Sequence, residues 1–163
     1  SSEIDWEVEL AVIIGRECVN VDVDDALSCV FGYTVLNDIS ARDIQYRHKQ
    51  FYLGKSLDGS CPMGPWIVTS NEIVDPQCLD IKCWVNGELM QESNTSDQIY
   101  TVAETISISM FSKGHTLFPG DVIATGTPAG VGFVRKPPRF LVPGDVLESE
   151  VEGIGRMRNV VGN

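Results

Sequence analysis

Positive charge is scarce in this sequence: 12 Lys and Arg stand against 23 Asp and Glu among 163 residues, a formal charge of −11. Nucleic-acid binding draws its affinity from cations that displace counterions around phosphates, so this balance argues against a nucleic-acid partner and equally against an anionic membrane surface. Long apolar runs are missing as well. The longest, residues 10–14, stops at Gly15-Arg16, far short of the roughly 20 residues a membrane-spanning helix requires. The five cysteines, Cys18, Cys29, Cys61, Cys78 and Cys83, are odd in number and contain no C-x-x-C pair. Neither a disulfide framework nor a structural zinc site is indicated, and free thiols in a reducing intracellular compartment are expected. Histidine is limited to His48 and His115, neither in a triad or ligand spacing. There is no G-x-S-x-G, and the opening Ser1-Ser2-Glu3 does not read as a secretory signal. Gly54-Lys55-Ser56 is no P-loop, because Lys49 stands where the motif needs its first Gly, and Asp22-x-Asp24 is no EF-hand, because Leu27 takes the sixth place.

What is present suits a folded chain. A hydrophobic fraction of 43%, 21% charged residues and three Trp give material for one core, and residues 1–163 are expected to form a single domain. Trp6, Val8, Leu10, Val12 and Ile14 alternate with Glu7, Glu9, Ala11 and Ile13, which predicts a strand over residues 5–14. A short helix over residues 25–30, capped by Asp22 or Asp24, should end at Gly32 before a strand over residues 33–36. Residues 40–45 read as a first helical turn and residues 46–64 as a long loop of the kind that commonly carries function. Residues 79–85 alternate again, Asn86-Gly87 predicts a two-residue hairpin turn, and residues 88–91 should pair back. Thr101 and Glu104 have capping-box spacing, and Ile106, Met110 and Phe111 continue a helix to Gly114. Pro119-Gly120 and Pro143-Gly144 each predict a type II turn feeding an apolar strand. Repeated turns of this kind suggest a β-roll or barrel-like sheet.

Glu7 and Glu9, two apart on a strand, share a face with Ala11 and Ile13. Two neighbouring buried carboxylates repel and resist desolvation, and a divalent cation relieves both penalties. Solvated glutamates on an edge strand would show the same pattern. Asp38, at the end of the next predicted strand, can bring a third carboxylate to the pair, although it can also serve as a helix N-cap. Three hard oxygen ligands suit Mg²⁺ or Mn²⁺, with room for a substrate carboxylate and its adjacent keto oxygen. Arg42 and Gln45 can share one face of the helical turn, and Lys55 lies in the loop after it. A guanidinium and an ammonium there would hold a substrate carboxylate and stabilise an enolate. Ion pairing of Arg42 with Asp38 or Asp43, and a solvated Lys55, are the plainer alternatives. The Gly-rich segment 126–132 offers backbone amides and the Thr127 hydroxyl to an anion, or is simply a turn.

Asp5-Trp6-Glu7-Val8-Glu9-Leu10-Ala11, the run from Gly32 to Gln45, Gly54-Lys55-Ser56, Val85-Asn86-Gly87-Glu88 and the run from Pro119 to Pro128 together resemble the fumarylacetoacetate hydrolase family, in order over nearly the whole chain. Arg135-Lys136-Pro137-Pro138 is most similar to its domain-containing protein 2 branch. The resemblance implies an α+β, mainly β fold, a mixed β-roll with few short helices. It implies Glu7, Glu9 and Asp38 as ligands for Mg²⁺, with Mn²⁺ or Ca²⁺ as substitutes. Arg42, Gln45, Lys55 and Thr127 become the catalytic and substrate-binding residues. It further implies a homodimeric, mitochondrial or cytosolic enzyme acting on 2-oxo acids. Oxaloacetate keto-enol tautomerisation is favoured over acylpyruvate-type C–C hydrolysis or oxaloacetate decarboxylation, and a non-catalytic oligomerisation domain is the reading from another class. The family's usual general base, a His with a Glu partner, precedes the Glu-x-Glu strand. That portion is expected to lie upstream of this chain, with His48 as the internal substitute.

Overall fold

Two four-stranded antiparallel sheets face each other in this computed structural model, which describes residues 1–47, 50–107 and 111–162. The first sheet contains β2 (Val8–Ile14), β3 (Val30–Asn37), β5 (Met63–Thr69) and β8 (Val122–Ala124), in the order β5-β3-β2-β8. The second contains β6 (Asp80–Val85), β7 (Glu88–Asn94), β9 (Val146–Val151) and β10 (Gly155–Val160), in the order β10-β9-β6-β7. A two-stranded ribbon joins β1 (Ile4–Asp5) to β4 (Ser40–Ala41). The mixing of the roll lies in its strand order, since every pairing among the described residues is antiparallel.

The alternation of the first strand decides which face meets the core. Val8, Leu10, Val12 and Ile14 join Ile81, Cys83, Val85, Leu147 and Val151 in one buried cluster between the sheets. Glu7 and Glu9 therefore belong to the opposite face. Contrary to an edge placement, β2 is central, flanked by β3 and β8, and all seven of its residues are buried. Among the described residues, four short helices surround the sheets: α1 (Val23–Ala26), α2 (Arg42–Arg47), α3 (Tyr52–Lys55) and α4 (Val102–Ile106).

Local chemistry accounts for the turns. Asn86 and Gly87 both take positive φ, 53° and 81°, as a two-residue hairpin turn requires. The two Pro-Gly turns share one construction. In each, the aspartate two residues after the proline accepts a bond through its carboxylate and closes the turn through its amide, at Phe118–Asp121 and Val142–Asp145. Gly120 and Gly144 have φ of 94° and 95°.

Several elements depart from expectation. The helix over residues 25–30 is shorter, α1 followed by a 3₁₀ turn over Leu27–Cys29, and Asp22 occupies the N-cap without a side-chain bond. Gly32 does not stop a helix; it lies inside β3, where a Cβ would come within 2.3 Å of the Val68 carbonyl oxygen on β5. The Thr101–Glu104 capping box is present, but α4 ends at Ile106 because Ser107 leaves the helical backbone and its hydroxyl takes the Glu104 carbonyl. Met110 lies outside the described residues, and Phe111 is not helical. The loop over residues 46–64 contains α3, and β5 was hidden by Gly64-Pro65, which an edge strand tolerates.

Gly130 pins the segment after β8 to β7 of the other sheet. Its φ is 110°, and a Cβ there would stand 2.2 Å from the Met90 carbonyl oxygen of β7. Gly130→Ala combines a left-handed alanine with a backbone clash and should destabilise the chain by at least about 2 kcal/mol, or roughly 4 to 8 °C in Tm for a domain of this size. Thermal unfolding followed by circular dichroism measures it; an unchanged Tm would show that the turn is not pinned to β7.

Candidate metal and anion site

The ladder between β2 and β3 assembles the carboxylates. Val8 pairs with Asn37, and Asp38 N donates to Glu7 O at 2.8 Å, so Asp38 lies opposite Glu7 where the two strands end. Glu9, two residues along, shares the face. One carboxylate oxygen from each of Glu7, Glu9 and Asp38 lies within 4.8 Å of the others. This is the cluster the spacing anticipated. Asp38 is not a helix cap; β4 intervenes before α2 begins at Arg42.

Two cations reach the same carboxylates. Lys55 Nζ lies 2.7 Å from Glu7 Oε2 and 2.5 Å from Asp38 Oδ2, so it is no solvated loop charge. Arg42 pairs with neither Asp38 nor Asp43. Its Nη2 lies 2.7 Å from Glu7 Oε1 without the alignment of a hydrogen bond, its Nε donates to Asp5 Oδ2 at 2.9 Å, and its Nη1 donates to Gln45 Oε1 at 3.0 Å. Arg42 and Gln45 thus share a helix face as their spacing requires, and both are buried. The ring of Phe133 stacks 4.4 Å from the guanidinium carbon.

Asp5 is a residue that sequence reasoning passed over. The β1–β4 pairing sets Asp5 opposite Ser40, two residues from Arg42. Its fully buried carboxylate accepts from Arg42 and from the amides of Trp6, Gly132 and Phe133. The available signal was its place two residues before Glu7, continuing the acidic alternation of Glu7 and Glu9.

Lys55 is positioned by a backbone contact. A Cβ on Gly54 would lie 2.7 Å from Gln45 Cα, so α3 sits directly against α2. Thr127 lies in the turn beside the cluster, its hydroxyl bonded within the chain. Its hydroxyl donates to Val8 O at 2.8 Å and accepts from Gln91 Nε2 at 2.8 Å, while the neighbouring Gly126 N donates to Glu9 Oε2 at 2.7 Å. The turn supplies a backbone amide to the cluster and sets the Thr127 hydroxyl against the strand that carries Glu9. His48 lies outside the described residues. A cavity of about 690 Å³ shares the Gly126-Thr127 turn, but none of Glu7, Glu9, Asp38, Arg42 or Lys55 lines it.

The protonation of the cluster follows its burial. Glu9 is pushed up to about 7, chiefly by desolvation, which the Gly126 bond and Lys55 only partly offset while Asp38 and Glu7 add repulsion. Asp38 is also raised, by burial against the opposing pull of Lys55. Burial works to lower Lys55, yet its bonds to Asp38 and Glu7 raise it overall, so it remains an ammonium. Three hard oxygen donors, one of them without an ion pair among the described residues, fit a hard divalent ion such as Mg²⁺.

Residues 1–162 match the family model described as fumarylacetoacetate (FAA) hydrolase C-terminal. The chain belongs to the fumarylacetoacetate hydrolase family. Among curated members, it is 49% identical over 162 residues to oxaloacetate tautomerase YisK of Bacillus subtilis, covering 99% of this chain and 53% of that protein. Human oxaloacetate tautomerase FAHD2A, mitochondrial, is 48% identical over 164 residues, 99% of this chain and 51% of that protein. The fumarylacetoacetate hydrolase structure from Exiguobacterium antarcticum superposes with a TM-score of 0.95 at 47% identity, covering 99% of this chain and 57% of the other. The chain thus spans about half the length of the curated relatives it matches.

A carboxyl whose folded pKa lies above its unfolded value binds extra protons in the folded state, so stability is lost as pH rises between the two. For Glu9 that window runs from about 4.5 to about 7, and Asp38 acts in the same direction. Without metal, Tm should fall from pH 5 to pH 7.5, and Glu9→Gln should reduce that slope. Added Mg²⁺ should raise Tm more at pH 7.5 than at pH 5, because its ligands must be deprotonated. Scanning fluorimetry across this range checks both signs; a Mg²⁺ effect larger at pH 5 would contradict the assignment.

Proposed function

We propose that this chain is the metal- and substrate-binding part of an enzyme acting on 2-oxo acids, with keto-enol tautomerisation of oxaloacetate as its reaction. The observation that carries the reading is the convergence of three carboxylates from adjoining strands with Arg42 and Lys55, both paired to Glu7. The names of the Bacillus subtilis and human relatives support the choice of reaction. Glu7, Glu9 and Asp38 would hold Mg²⁺, with Mn²⁺ or Ca²⁺ able to substitute. When bound, the ion supplies Lewis-acid polarisation of a 2-oxo group, which acidifies the neighbouring carbon.

The chain's own residues do the rest. Arg42 offers the substrate carboxylate a buried Nη2 that is not aligned on Glu7, and Asp5 and Phe133 keep its plane fixed. Lys55 turns from Glu7 and Asp38 toward the anion, providing charge where negative charge grows during enolisation. Gln45 holds the guanidinium in register. Hydrolysis of a C–C bond is the second reading, favoured by the name of the Exiguobacterium antarcticum structure. We further take the working unit to be a homodimer in a reducing compartment, mitochondrial as in the human relative's name or cytosolic. The five free cysteines suit such a compartment.

Calorimetry with Mg²⁺ and oxalate, a stable analogue of a 2-oxo acid, tests the reading. Asp38→Ala should abolish metal-dependent oxalate binding. Lys55→Met should weaken oxalate by about 1.5 to 3 kcal/mol, the range of a charged hydrogen bond, without lowering Mg²⁺ affinity, since the lysine competes for the same carboxylates. Oxalate binding that persists without metal or after Asp38→Ala would refute the proposal. Spectrophotometric decay of enol-oxaloacetate against acylpyruvate cleavage separates the two reactions.

A further inference from the structure

On the side of β2 away from the carboxylates, a polar row crosses the inner face of the second sheet. Cys83 of β6 pairs with Gln91 of β7 on one side and Ser149 of β9 on the other, so the three side chains stand in line. Each is at most 1% exposed. Polar groups in a dry sandwich are costly unless they are satisfied. What satisfies them is the facing row of Val8 and Asn37 on the first sheet, with Thr127 from the turn after β8.

The need arises where β8 leaves β2. Their pairing runs from Ile13 with Val122 to Ala11 with Ala124, after which the chain peels away and Gly126 N turns to Glu9 Oε2. Val8 points its N–H and C=O to this opened side. Gln91 Oε1 accepts from Val8 N at 3.1 Å, and the Thr127 hydroxyl donates to Val8 O at 2.8 Å. Gln91 Nε2 then donates to both Thr127 Oγ1 and Pro128 O, each at 2.8 Å. A bulge makes this reach available. Cys83 pairs with Gln91 while Trp84 pairs with Leu89, leaving Met90 as the extra residue and turning both Met90 and Gln91 inward. On the other flank Glu7 N donates to Asn37 Oδ1, and Asn37 Nδ2 donates to Ser149 Oγ.

From this geometry we infer that Gln91 is a positioning residue for the carboxylate cluster, acting from the opposite sheet. It holds the backbone between Glu7 and Glu9 together with the turn whose amide holds Glu9. The inference rests on the metal-site reading proposed above. An ordinary buried amide would contribute to stability alone; a positioning amide also sets metal affinity.

Gln91→Met keeps length and apolar volume but loses all three bonds. Thr95→Val serves as the control, because it removes another buried bond, from Leu79 N at 2.9 Å, outside the cluster. In the full chain, Gln91→Met should speed hydrogen exchange at the Val8 and Gly126 amides relative to Leu10, and weaken Mg²⁺ by about tenfold in calorimetry, the lower end of what residues behind metal ligands contribute. Thr95→Val should lower Tm with Mg²⁺ affinity and both exchange rates unchanged. Wild-type protein that fails to bind Mg²⁺ would sink the functional reading itself. Wild-type binding with unchanged affinity in Gln91→Met, or unchanged exchange at Val8, would overturn the positioning role. If Gln91→Met does not fold, Gln91→Asn, whose amide falls one methylene short of Val8, carries the same expectations.

Discussion

The backbone bond from Asp38 to Glu7 closes the β2–β3 ladder at the point where three carboxylates meet. Backbone bonds and the apolar face packed on the other sheet drive this strand pairing against the repulsion of the like charges it aligns. The fold therefore forces Glu7, Glu9 and Asp38 together, and neighbouring segments are arranged to make that concentration of negative charge tolerable. Removing water from such a cluster without compensation would cost more than a domain of this size can spare.

The compensation is uneven, and the unevenness has chemical content. Glu7 faces both Arg42 and Lys55, and Asp38 faces Lys55, whereas Glu9 receives a single direct bond among the described residues, from the Gly126 amide. The carboxyl with the least direct cationic help is the one displaced to about 7. Arg42 is itself held by Asp5, which also gathers three backbone amides from two segments. A buried guanidinium fixed on several sides loses little freedom when it meets an anion, which is the advantage of preorganisation.

Much of this was legible in sequence because it depends on local spacing. The alternation of Glu7 and Glu9, the three-residue step from Arg42 to Gln45, the positive φ at Asn86-Gly87 and the Thr101–Glu104 box each express one period or one turn. What escaped depends on contacts distant in the chain. Nothing near Gln91 announces that it bonds a backbone 83 residues away, and nothing near Gly32 announces the approach of β5. Asp5 was hidden for a different reason: the strand breaks after it, so the alternating acid belongs to a separate ribbon. Thr127 adds a bond of the same long-range kind, its hydroxyl donating to the Val8 carbonyl where β8 has left β2.

The two kinds of charge in the cluster come from different parts of the architecture. The acids sit on, or immediately beside, paired strands, locked to the sheet. Arg42, Gln45 and Lys55 all belong to α2 and α3, two short helices joined face to face through the bare backbone of Gly54. The two helices therefore carry both cations together, on elements separate from the ladder that carries the acids. Substitutions on these two helices would change how the charge of the acids is neutralised, while the backbone bonds that align the acids stay in place. Charged side chains on short connecting elements over a fixed sheet are a general route by which chemistry diversifies on one scaffold.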